Sequence, residues 1–325
     1  MVRIPEDEVK ELGLNEALAK KMAPYQENNM GDCPQEFLEF HDVEPEYREQ
    51  YEGETEFILT PDGELKYSWD FKKPKVGGLS FETEEYIPDG HQKVTRPFCL
   101  KYPTFQDFME KYAEYKRNPE TGKYGYWENP NRKWDWYTIG GRWRGKLIPK
   151  QGAEGTLGRP GVFKNESMKR PGALRDKGGV DAIQAKDVDF AAMDALVNEQ
   201  VEEFYSEVET YRVASKEERE KLWFDLCWTL GDLGLIVQDT EKKATGEIKD
   251  FTLNDLKNTY RSHWEFHTYA VVDETGQWIG QGEMGWWGCS SETTEEGMNW
   301  DASFKQQHLT NVDPNTYLVI VDCHI

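Results

Sequence analysis

Residues 124–146 of the 325-residue chain read YGYWENPNRKWDWYTIGGRWRGK. Tyr124, Tyr126, Trp127, Trp134, Trp136, Tyr137 and Trp143 interleave there with Arg132, Lys133, Arg142, Arg144 and Lys146. An arginine beside exposed aromatic faces suits a nucleotide: the base stacks on a ring and the guanidinium takes the phosphate. If Trp134–Ile139 is a strand, Trp134, Trp136 and Thr138 face one side, and Asp135, Tyr137 and Ile139 the other. Asp135 is near enough in sequence to pair with Arg142 across Gly140-Gly141 and hold it rigidly. The two glycines permit a positive φ or close backbone approach. A purely structural reading also stands, since strand aromatics form cores and Arg–Trp contacts are common packing. Neither GxxxxGK[ST] nor GxGxxG occurs, so no standard phosphate loop is present. Further on, Gly282, Gly285 and Gly288 bracket Met284, Trp286 and Trp287. This tryptophan pair either caps the core or projects as a second stacking platform, and the platform is the expectation because adjacent residues on a strand cannot both face one core. The candidate ligand-binding set is therefore Trp134, Asp135, Trp136, Tyr137, Gly140, Gly141, Arg142, Trp286 and Trp287.

Acid–base chemistry would have to come from the C-terminal half. In SHWEFHT, residues 262–268, a strand would place His263, Glu265 and His267 on one face, and the chain closes on Asp322-Cys323-His324. Were those two strands neighbours, Asp322, His324 and His267 could form a His–Asp catalytic group. The same neighbourhood of His263, Glu265, His267 and His324 could ligate Zn²⁺, Mn²⁺ or Fe²⁺. No HExxH or PCxxC accompanies them, so no residue is assigned as a metal ligand and no cofactor is named. Alternation of this kind also describes a strand with one wet face. His308-Leu309-Thr310 has the HxT form of two-histidine phosphoesterases, but a matching second HxT is missing.

Three segments carry a resemblance: NPNRKWDWYTIGGRW (Asn129–Trp143), MGWWG (Met284–Gly288) and VDCHI (Val321–Ile325). Together they are similar to an uncharacterised family encoded in bacteriophage and prophage genomes. That resemblance implies a setting, an accessory protein acting in the host cytoplasm on host metabolism, on nucleotides or in counter-defence, and assigns no reaction.

The elements around these residues follow from pattern. Val9, Leu12, Leu14, Leu18 and Met22 suggest a short helix interrupted at Gly13, within an acidic segment 1–54. Pro61-Asp62-Gly63 joins two strand-like runs as a hairpin. Thr104–Arg117 is an expected helix opened by Thr104 and Asp107, and Lys93–Tyr102 an edge strand. Asp187–Tyr211 carries Phe190, Met193, Val197, Val201, Phe204 and Val208 at helical spacing, and Ser215 with Glu218 caps a helix to Leu230. Phe266–Asp273 with Gln277–Gly282 reads as a hairpin, Trp300–His308 as a helix and Tyr317–His324 as a final strand. Residues 149–179 hold seven Gly, three Pro and seven bases against three acids, a long basic loop that is either a linker or a lid.

Charge excludes some classes and localises others. The chain carries 39 Lys+Arg against 61 Asp+Glu, a net charge of −22. Coating duplex DNA is disfavoured, because phosphate binding requires clustered bases. Residues 124–179 nonetheless hold 12 bases and 5 acids, net +7, within a strongly acidic body. No apolar run is long enough for a membrane span, and the N-terminal residues lack a signal-peptide core. Cys33, Cys99, Cys227, Cys289 and Cys323 form no CxxC and read as reduced cytoplasmic thiols.

The expectation is an α+β protein of two small halves, 55–148 and 181–325, each with antiparallel sheets and packed helices. The basic loop 149–180 would join them, and 1–54 would stand as an acidic segment. The leading functional expectation is an aromatic/Arg pocket for an anionic small molecule, a nucleotide in chemical type, either sequestered or hydrolysed. An enzyme of this kind would be a hydrolase or transferase acting on a nucleotide or phosphoester. The competing expectation is an acidic module that inhibits a host protein, by mimicking nucleic acid or by filling a basic groove.

Overall fold

The computed structural model describes residues 1–74, 83–160, 178–238, 244–284 and 290–324. Trp286, Trp287 and most of the basic loop fall outside that set. The fold is α+β, with small, mostly antiparallel sheets and packed helices. The chain divides into two compact units, Met1–Cys33 with Asn131–Ile325, and Pro34–Pro130. Boundaries therefore fall near 33 and 130 rather than at 54 and 148. The reason is at the N-terminus: residues expected to form a separate acidic segment supply the middle strand of the larger unit's sheet.

That sheet has five strands. In chain order its members, with the three strands of a neighbouring sheet, are β1 (Val2–Ile4), β2 (Trp136–Gly141), β3 (Arg159–Pro160), β4 (Ala182–Gln184), β5 (Ala270–Val272), β6 (Trp278–Gly280), β7 (Tyr317–Val319) and β8 (Val321–His324). The large sheet runs β4-β7-β1-β5-β6, and a three-stranded sheet runs β3-β2-β8. β1 lies antiparallel to β7, with Val2 opposite Val319, and parallel to β5, with Val2 opposite Val272. All three residues of β1 are buried, as a strand covered on both faces must be, and Arg3 among them is paired with Glu274 at 2.8 Å. The final strand of the sequence is two strands: at Ile320 the chain passes from one sheet to the other. There Ile320 N donates to Asp181 O (2.7 Å), and Gly140 N donates to Ile320 O (3.0 Å).

Helices cover the sheet and build a second core. α1 (Glu6–Leu12) and α2 (Leu14–Met22) break at Gly13, as the pattern suggested. α3 (Phe190–Val213) is capped by Asp189, whose side chain accepts from Ala192 N. α4 (Lys216–Asp232) opens with a Ser215/Glu218 capping box. Val197, Val201, Phe204 and Val208 of α3 close against Leu226 and Leu230 of α4. α5 (Thr294–Phe304) is capped by Thr293 and continues as a π-helical turn, Lys305–Thr310.

In the smaller unit, strand Glu54–Leu59 pairs with Leu65–Lys66 across the Pro-Asp-Gly turn and with Gln92–Pro97 on its other side. Phe57, Phe98, Phe108 and Met109 fill its core. Helix Phe105–Lys111 is capped by Thr104 and is shorter than the expected 104–117. The described ends of the 149–180 stretch are built into the larger unit: Leu147 bridges Val180, Thr156 bridges Ala182, and β3 pairs in parallel with Gly140–Gly141. A lid formed by residues 161–177 lies outside the described residues.

Candidate functional site

The β2/β8 ladder brings the two most chemically loaded segments together. Val321, Asp322, Cys323 and His324 lie opposite Ile139, Thr138, Tyr137 and Trp136. Trp136, Thr138, Asp322 and His324 consequently share one face. Asp322 is 3% exposed and is the partner of Arg142, not Asp135. Its Oδ2 accepts from Arg142 N at 2.7 Å, and its Oδ1 accepts from Arg142 Nε and Nη2 at 2.9 and 2.6 Å. The bond to Asp322 raises the Arg142 pKa, so the cation is locked on. Arg142 Nη2 also donates to Cys323 O at 3.1 Å, which brings the guanidinium back along β8 to within one residue of His324.

Asp135 serves the other end of the row. Its Oδ1 lies 3.0 Å from His324 Nδ1 and accepts from Trp136 N at 2.7 Å. The imidazole stacks on the Trp136 indole, centroids 5.3 Å apart and planes 13° from parallel. With Nδ1 held by a carboxylate, Nε2 is the ring atom presented outward. Trp136 is 45% exposed, and the His324 side chain 54%.

Gly140 and Gly141 have φ of +80° and +55°. A Cβ on Gly140 would sit 2.5 Å from Asp181 Oδ2, and one on Gly141 would collide with Asp322 Oδ2. Asp181, fully buried, accepts from Gly145 N and Gly158 N, and burial raises its pKa despite those bonds. Sequence reasoning missed Asp181; the signal was a lone acid within the apolar run Val180–Ile183.

Not every expected member joins the row. Trp134 and Tyr137 turn into the core: Trp134 is 6% exposed, its Nε1 donates to Met22 O at 3.1 Å, and it meets Tyr137 edge-on. Trp134 precedes the strand, so it does not share a face with Trp136 as alternation implied. Trp286 and Trp287 lie outside the described residues. Cys323, packed against the core, has its thiol pushed up to about 11 by burial.

His267 stands apart. Residues 261–264 form a 3₁₀ turn rather than a strand, and β5 beyond them pairs with β1 and β6, not β8. The alternation in SHWEFHT came from a turn with two aromatic anchors, so His263, Glu265, His267 and His324 do not gather. Among the described residues no three His, Cys, Asp or Glu side chains group closely enough to hold a metal ion. His267 Nδ1 meets Glu265 O at 3.0 Å and its Nε2 faces Asp301 Oδ1 at 3.5 Å. Burial, with His263 and Lys146 adding to it, lowers His267 to about 4, and burial raises Asp301 to about 7. Asp301, on α5, had no sequence signal. His308, of the HxT segment, is buried between Trp300 and Phe304.

No known family model, curated protein or solved structure matches the chain. Among the described residues no helix is long and apolar enough to cross a membrane.

Proposed function

We propose that the protein binds an anionic small molecule with a planar group, a nucleotide in chemical type, on the Trp136–His324–Arg142 face of the β2/β8 ladder. One observation carries the reading: an indole–imidazole stack and a carboxylate-anchored guanidinium stand in a row on one face of two paired strands. The exposed indole supplies a stacking surface, and the guanidinium held by Asp322 supplies oriented N–H donors without loss of side-chain freedom on binding. Asp135 and Asp322 act through their partners: one orients the imidazole, the other the guanidinium. Sequestration is favoured over hydrolysis, since an imidazole this open to water lacks the desolvated setting that strengthens acid–base catalysis. The accessory-protein setting in a phage-infected cell rests on the resemblance of the three motifs.

Titration calorimetry of the full chain with nucleoside mono- and diphosphates at low salt tests this. Trp136→Ala is the decisive variant, because Arg142→Ala would leave Asp322 buried and unpaired at a cost of about 3 kcal/mol. Stacking is worth about 1–3 kcal/mol, so the alanine variant should bind at least about fivefold more weakly. No binding of any nucleotide at millimolar concentration, or equal binding by the variant, would overturn the proposal. Product formation on prolonged incubation would convert binder into enzyme.

A further inference from the structure

The outer face of α4 carries a feature that the β2/β8 site does not use. Phe224 and Trp228, one helical turn apart, are 73% and 72% exposed. They point directly away from Leu226 and Leu230, which the helix buries against α3. An exposed phenylalanine alone is unremarkable, but two large aromatics at i and i+4 set an apolar strip along one helix face. Glu217, Glu220, Asp225 and Asp232 flank the strip, all exposed, and the exposed bases of the helix are Lys216, Arg219 and Lys221. None of these four acids forms an ion pair among the described residues. The segment LWFDLCW (Leu222–Trp228) holds more large side chains than one helix face can bury, which is the sequence signal for it.

We infer that this face docks a basic, apolar segment of a protein partner, one whose leucine- or isoleucine-type side chains cover Phe224 and Trp228 while its Lys or Arg residues meet the acidic flanks. Charge complementarity selects the occupant. A second copy of this chain would bring identical acidic flanks together across a two-fold contact, and anionic lipid or nucleic acid would meet the same repulsion. A cationic segment gains at both levels: aromatic anchors dominate interface energetics, and Trp228 offers a face to a cation as well.

The probe is a fluorescein-labelled 14-residue Lys/Leu amphipathic peptide, with its Glu/Leu counterpart as control, read by anisotropy against the full chain. Saturable binding of the Lys/Leu peptide is expected. Phe224→Ser/Trp228→Ser should weaken it at least tenfold, and so should Glu217→Lys/Glu220→Lys/Asp225→Lys tested separately. Affinity unchanged in the aromatic variant would reduce the effect to general acidity and overturn the inference. So would equal binding of the Glu/Leu peptide, or a dimer in sedimentation that the aromatic substitutions dissolve. Because Trp136 lies on a different element, nucleotide binding should survive both α4 variants, which separates failure here from failure of the ligand site.

Discussion

In free solution an imidazole holds its proton more tightly than a carboxylate, and around His267 and Asp301 burial inverts that order. With His267 near 4 and Asp301 near 7, the folded pair at pH 5 is a neutral ring beside a protonated acid. The unfolded pair, at 6.5 and 3.8, is an imidazolium and a carboxylate. Both states hold one proton, so the pair adds almost no slope to stability between about pH 4 and 6.5. Single substitutions should expose the two halves. In His267→Asn, Asp301 remains, its folded pKa raised; its contribution is present at low pH and lost as pH rises towards 7. In Asp301→Asn, His267 remains, its folded pKa depressed; stability should fall as pH drops from 6.5 towards 4. Urea midpoints measured across pH 4–7 should tilt in opposite directions for the two variants, and parallel profiles would disprove the reassigned proton.

Among the elements, the β2 turn is the most tightly constrained. Gly141 combines a positive φ with a carboxylate where a side chain would begin. Gly141→Ala should therefore cost about 2 kcal/mol or more in chemical denaturation, and should displace Asp322 from Arg142. A loss below about 0.5 kcal/mol would show that the turn relaxes freely. Local signals of this sort were legible before the structure: the Gly-Gly pair, the Ser215/Glu218 box and the Pro-Asp-Gly hairpin each fall where short-range chemistry placed them. Asp322 and His324 sharing a face was legible too, because alternation along one strand is local. The partners were not. Asp135 looked closer to Arg142 by sequence, but β8 arrives from the far end of the chain and brings its own carboxylate. The strands of the large sheet are three residues long, too short for periodicity to register, and SHWEFHT alternated without being a strand.

At the scale of the molecule, residues 34–130 form a continuous unit with its own core of Phe57, Phe98, Phe108 and Met109. The chain leaves the larger unit and returns to it at adjacent points, since Gln26 bridges Trp134 and Lys133 N donates to Tyr25 O at 2.7 Å. Expressed alone, 34–130 should give a cooperative urea transition with near-ultraviolet dichroism from its packed tyrosines; a non-cooperative melt would show that it depends on the rest. The larger unit is organised oppositely. β1 sits between β5 and β7, so Val2 pairs with Val272 and Val319. On the ribosome, then, β1 must wait until Val272 and Val319 have been made. Synthesis runs at about 5–20 residues per second, so the inserted unit has many seconds to finish folding while Val2, Arg3 and Ile4 remain without their strand partners.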